Sequence, residues 1–160
     1  AVVGREEIMQ SAQSTFISST FWTERIGSAA ALRALEVMEN VKPWETAIKV
    51  GFKVRQIWTE TAEANGLDIL VTGLPALSSY SFLSENALAY KTLITQEFLK
   101  RGYLAGTILY ASNAHDTKKF DEYASILHNV YKLIADCESG RSVNMLLDGP
   151  ICHAGFKRLN

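Results

Sequence analysis

Cysteine is scarce in this chain, with only Cys137 and Cys152 among 160 residues and no Cys-x-x-Cys spacing. A disulfide-stapled scaffold is therefore excluded, and a reducing cytoplasm is the expected setting. Long apolar runs are lacking too. No stretch reaches the roughly 20 residues that span a bilayer, and no charged leader precedes a short hydrophobic core, so no membrane role is expected. Charge of one sign is also missing: 16 Lys and Arg stand against 17 Asp and Glu, giving a net charge of -1. Without a basic field to hold phosphate backbones, nucleic acid is not an expected partner. The three histidines, His115, His128 and His153, have no ligand-pair spacing with one another or with a carboxylate on one helix face, so no metal site is expected.

What is present describes a folded domain. Hydrophobic residues make up 48%, aromatic ones 10% and charged ones 21%, enough apolar material for one ordinary domain, or for one domain with a piece of another. The chain begins at Ala1, and residues 1–4 read as the end of a buried strand. A portion of something longer is the expectation.

Residues 5–10 read as a short helical segment, and residues 11–22, rich in Ser, Thr and aromatics, as a long ordered loop without either period. From Thr23 to Met38 the alanine-rich sequence is apolar on most faces, which predicts a buried helix. Residues 40–42 break it. Pro43 then suits the first turn of a second helix, with Trp44, Ala47, Ile48, Gly51, Val54, Trp58 and Ala62 on one face and Gly66 at its end. Trp44 and Trp58 are accordingly read as core.

Residues 67–73 and 78–83, with Pro75 at the turn between them, predict a hairpin. Ser84 and Glu85 start a third helix marked by Ala87, Tyr90, Ile94 and Phe98 and stopped by Gly102. Residues 103–111 read as a third strand. Asp116 or Thr117 then caps a last helix with Phe120, Tyr123, Leu127, Val130, Ile134 and Cys137 in one stripe, ended by Gly140. The order is helix, helix, two strands, helix, strand, helix. It predicts an α+β fold with helices packed on a short, mostly antiparallel sheet.

Little in this pattern carries chemistry by spacing alone. Cys152 and His153 are adjacent, and adjacent side chains diverge, so the pair reads as tail packing rather than nucleophile and base. The turn-rich tail contains no phosphate-binding loop. The segment Ser18-Ser19-Thr20-Phe21-Trp22-Thr23-Glu24-Arg25 differs, because it gathers hydroxyls and a guanidinium beside a helix start, a combination that suits an anion. The same residues also fit a plain helix cap by Thr20 or Thr23, with Glu24 facing Arg25 or solvent.

Three stretches carry a family resemblance. Ser14-Thr15-Phe16-Ile17-Ser18-Ser19-Thr20-Phe21-Trp22-Thr23-Glu24-Arg25-Ile26-Gly27 ahead of the alanine-rich helix, Arg101-Gly102-Tyr103 leading to Ser112-Asn113-Ala114-His115, and the tail from Gly149-Pro150 to Lys157-Arg158 occur in that order. Together they resemble the carboxy-terminal part of class III pyridoxal-phosphate aminotransferases, the group of glutamate-1-semialdehyde 2,1-aminomutase. The resemblance implies a small carboxy-terminal domain of a fold-type I enzyme over residues 41–160, preceded over residues 1–40 by the end of the large cofactor-binding domain. It implies pyridoxal 5'-phosphate as cofactor, a homodimer, and a small substrate of amino-acid or amino-sugar type. Thr20 matches the threonine that binds the cofactor phosphate of the neighbouring subunit, with Ser19 beside it. The glycines and proline usual in that motif are absent here.

By the same resemblance the lysine that carries the cofactor would lie shortly before Ala1, and Lys42, Lys49 and Lys53 have ordinary solvated-face explanations. The chain alone is therefore expected to be inactive, and its parent an aminotransferase or an aminomutase. The alternative is a non-catalytic interaction or regulatory module with the same small-domain fold.

Overall fold

The computed structural model describes residues 4–16, 20, 24–115 and 117–155. The chain divides into two compact units, residues 1–41 and 42–160.

The first unit holds helix α1, Glu6–Met9, a 3-10 turn over Gln10–Ser14 and helix α2, Ile26–Val41. The 3-10 turn replaces part of the loop expected over residues 11–22, with the Ser14 and Thr15 hydroxyls donating to the Ser11 and Ala12 carbonyls at 2.9 and 3.0 Å. Such local bonds need no apolar period, so hydrophobic patterning misses them. Helix α2 forms where its alanine-rich composition predicts, since alanine gives up no side-chain entropy. The expectation that it is buried is corrected: no described residue of α2 is buried, and Leu32 and Leu35 are 66% and 63% exposed. Composition reports that a surface wants cover, whereas burial requires the covering atoms to be there.

The second unit contains the core. Helix α3, Pro43–Ala64, begins one residue after α2 ends, and that residue, Lys42, has a left-handed backbone at φ 48°. At its far end Gly66, at φ 66°, takes the conformation a side chain would resist. The Leu67 amide then reaches the Ala62 carbonyl at 3.0 Å, a Schellman closure with Leu67 and Ala62 both buried. The chain turns into strand β1, Ile69–Leu74, which pairs antiparallel with β2, Leu77–Phe82, from Ile69 opposite Phe82 to Leu74 opposite Leu77. Pro75 lies in the connection, as the sequence predicts.

Helix α4, Ala87–Leu99, buries Ala89, Tyr90, Leu93, Ile94 and Phe98. Strand β3 is shorter than expected and covers only Ile108–Tyr110, antiparallel to β2. The reason is at its start: the Tyr103 amide turns back to the Phe98 carbonyl at 3.0 Å to close α4, leaving residues 103–107 as a loop. A 3-10 turn over Thr117–Lys119 leads into α5, Phe120–Glu138. Thr117 thus starts that turn rather than capping the helix, and Asp116 lies outside the described residues.

The fold of the second unit is α+β: α3 and α4 pack against a three-stranded, wholly antiparallel sheet ordered β1-β2-β3. Trp58, Tyr80, Phe82, Tyr90, Phe98 and Tyr131 form its aromatic centre, with Trp58 and Tyr80 ring centroids 4.7 Å apart. Tilted and edge-on ring pairs of this kind add to the area they remove from water. On α3 the predicted face is buried at Ala47, Gly51, Val54, Trp58 and Ala62, and the stripe is wider than predicted. Val50 and Ile57 are inside, while Trp44 is 46% exposed and Ile48 40% exposed. Trp58 is core as expected; Trp44 is not.

Candidate functional site

Thr20 lies in a turn with its side chain exposed, and Ser19 lies outside the described residues. Glu24 and Arg25 are exposed, and the Arg25 carbonyl accepts the Ala29 amide at 2.9 Å to begin α2. The threonine thus stands six positions before the start of α2 at Ile26 in sequence, with a hydroxyl that can donate or accept.

The other residues singled out from sequence take different places. The Cys152 amide donates to Thr92 Oγ1 at 3.0 Å and its thiol lies 3.6 Å from the Leu88 carbonyl, so the tail is tied to α4. His153 beside it is exposed. Both cysteines are free, and burial pushes the Cys137 thiol up. Gln96 extends the same tie, donating to the Leu146 carbonyl at 2.8 Å and accepting the Asp148 amide at 2.7 Å. At the end of α4, burial works against the charge of Glu97, but hydrogen bonds from Arg101, Lys100 and Gln96 outweigh it and hold the carboxyl at about 2. His128 Nδ1 lies 3.2 Å from Asn65 Nδ2. No cluster of three or more His, Cys, Asp or Glu side chains is placed to hold a metal among the described residues.

Sequence reasoning missed a cavity of about 340 Å³ in the second unit. It is walled by Trp58, Tyr103, Leu109, Phe120 and Tyr123 and has His115 at its lining. The Trp58 indole N–H donates to the Tyr123 hydroxyl at 2.7 Å, and burial pushes that phenol up to about 12. Lys119, also at the lining, pairs with Glu122 at 2.9 Å. The signal was in residues 103–106, read as strand, where the small Ala105 and Gly106 line the space beside the sheet.

Pyridoxal phosphate can be tested against these side chains. A lysine that carries the cofactor is enclosed and desolvated, whereas Lys42, Lys49, Lys53, Lys91, Lys100, Lys118, Lys119 and Lys132 are all exposed. The described residues do not fit a complete cofactor site.

The fold of this chain is that of part of a pyridoxal-phosphate enzyme. It superposes on the internal aldimine form of the FumI protein of Sphingopyxis sp. MTA144 with a TM-score of 0.74 over 91% of this chain and 36% of that one, at 18% sequence identity. In sequence, the chain is similar to an aminotransferase. Over 99 residues, 61% of its length, it is 31% identical to the 3-aminobutyryl-CoA aminotransferase of Cloacimonas acidaminovorans (strain Evry), and the match spans 24% of that protein. The chain thus corresponds to about a quarter of the one and just over a third of the other. No family model matches it.

Proposed function

We propose that this chain is the carboxy-terminal portion of a class III, pyridoxal-phosphate-dependent aminotransferase or aminomutase acting on a small amino-acid or amino-sugar substrate in the cytoplasm. In this reading residues 1–40 end the large cofactor-binding domain and residues 41–160 form the small domain. The observation that carries it is a coincidence: a stretch similar to an aminotransferase lies in a chain with the fold of part of a pyridoxal-phosphate enzyme.

The cofactor, when bound, supplies the electron sink for moving an amino group. The part taken by this chain is narrower. Thr20 donates its hydroxyl to the cofactor phosphate across a homodimer interface, and the neighbouring backbone at Ser19 adds an amide. A phosphate oxygen held by such donors away from water gains charge-assisted hydrogen bonds. In this reading the 160-residue chain alone does not transfer amino groups, which the exposure of every described lysine supports. Thr20→Ala in a lysine-bearing parent is expected to weaken cofactor binding about tenfold, the loss of one hydrogen bond to a charged group, with Thr20→Ser retaining most of it. Equal cofactor affinity in Thr20→Ala and the parent contradicts the assignment.

A second reading, a non-catalytic interaction or regulatory module, is favoured by one feature. Residues 42–160 enclose their own core, as a self-standing module requires.

A further inference from the structure

The cavity beside β3 has no part in the function proposed above. Its size falls within the range of roughly 300 to 1,000 Å³ usual for small-ligand sites, and its walls are aromatic and aliphatic side chains with few polar groups among them. We propose that it binds a small apolar monocarboxylate, of the size and kind of an arylacetate.

The apolar body follows from the walls. Trp58, Tyr103, Phe120 and Tyr123 offer ring faces and edges, and Val54 and Leu109 fill the gaps between them. The Tyr123 hydroxyl accepts the Trp58 indole N–H at 2.7 Å, which satisfies the indole.

The carboxylate follows from the polar groups. The Ser112 amide donates to His115 Nδ1 at 3.1 Å, which makes Nδ1 the acceptor and places the proton of the neutral ring on Nε2. Among the described residues Nε2 has no hydrogen-bond partner. His115 therefore brings a donor to the lining. The loop residues Leu104, Ala105 and Gly106 also line the cavity, and their amides donate to no described residue. Lys119 adds positive charge, shared with Glu122. Among the described residues no aspartate or glutamate lines the cavity, and Glu122 meets it only through Lys119 and Tyr103. Donors without a lining carboxylate match the two oxygens of a carboxylate and give an ammonium head no counter-charge.

The test is a titration of the ¹⁵N-labelled 160-residue chain with phenylacetate, and separately with 2-phenylethylamine, which keeps the ring and reverses the charge. Saturable shifts are expected at the Trp58 indole N–H, at the amides of Leu104, Ala105 and Gly106, and at His115. The amine is expected to bind at least about tenfold more weakly. Ala114 lines the cavity and is exposed, so Ala114→Trp obstructs the space without entering the core and should abolish the shifts. His115→Ala should weaken binding about fivefold or more, the loss of one donor to a charged group. Shifts that do not saturate, equal affinity for the amine, or unchanged binding in Ala114→Trp overturn the proposal. The comparison of the two ligands is made on the unaltered chain, so it stands even where a variant misfolds. Neither ligand involves the cofactor, so this outcome is independent of the aminotransferase reading.

Discussion

At the residue scale, Glu97 shows how a polar group survives against the core. Its side chain is only 14% exposed, and Lys100 and Arg101 each sit 2.9 Å from it. Because the folded carboxyl is held at about 2, below its unfolded value, its contribution is fully present above roughly pH 4.5 and is lost as pH falls through 2. Half-exposed partners weaken the pair, so Glu97→Gln should cost about 1 to 2 kcal/mol at neutral pH. It should also flatten the acid limb of stability between pH 4.5 and 2, read by urea unfolding at several pH values. An unchanged acid limb contradicts this. None of it could be read from the sequence. An i,i+3 and i,i+4 charge pattern is visible there, but not that Glu97 is also shielded. Trp44 shows the converse, since its spacing fits the α3 stripe but it lies in the first turn of the helix and is 46% exposed.

At the element scale, the hairpin and the spans of α3, α4 and α5 were legible because each combines a clear apolar period with a stop signal. Gly66 is one of these, and the residue that forms the turn can be named from sequence. Gly51 is different. It lies inside α3, where glycine normally weakens a helix, and its reason appears only in three dimensions: a Cβ there would collide with the Pro75 carbonyl at the β1–β2 turn. Gly51→Ala should therefore destabilise the second unit by about 3 kcal/mol through overpacking, despite the better helix propensity of alanine. Thermal unfolding measures it. A stabilised Gly51→Ala chain would show that α3 and the turn separate freely. Strand β3 failed in the other direction, because residues 103–107 have strand composition but their first amide is consumed in closing α4.

At the scale of the whole molecule, the fold class was legible and the site was not. Element order and period specify α+β with an antiparallel sheet, and they did so without any relative. The proposed phosphate site would draw on Thr20, on residues outside those described and on a second subunit, none of which periodicity can bring together. The exposed apolar side chains of α2 belong to the same scale, since their composition is legible while their cover is not part of the described structure.

In the proposed parent, this chain would supply a phosphate contact and a small domain but not the group that carries the cofactor. Pyridoxal phosphate and an amino donor should be added to the purified 160-residue chain and to the same chain preceded by a lysine-bearing large domain, following visible absorbance and amino transfer in both. Cofactor absorbance and turnover are expected only in the longer protein, and turnover by the 160-residue chain alone would overturn the proposal.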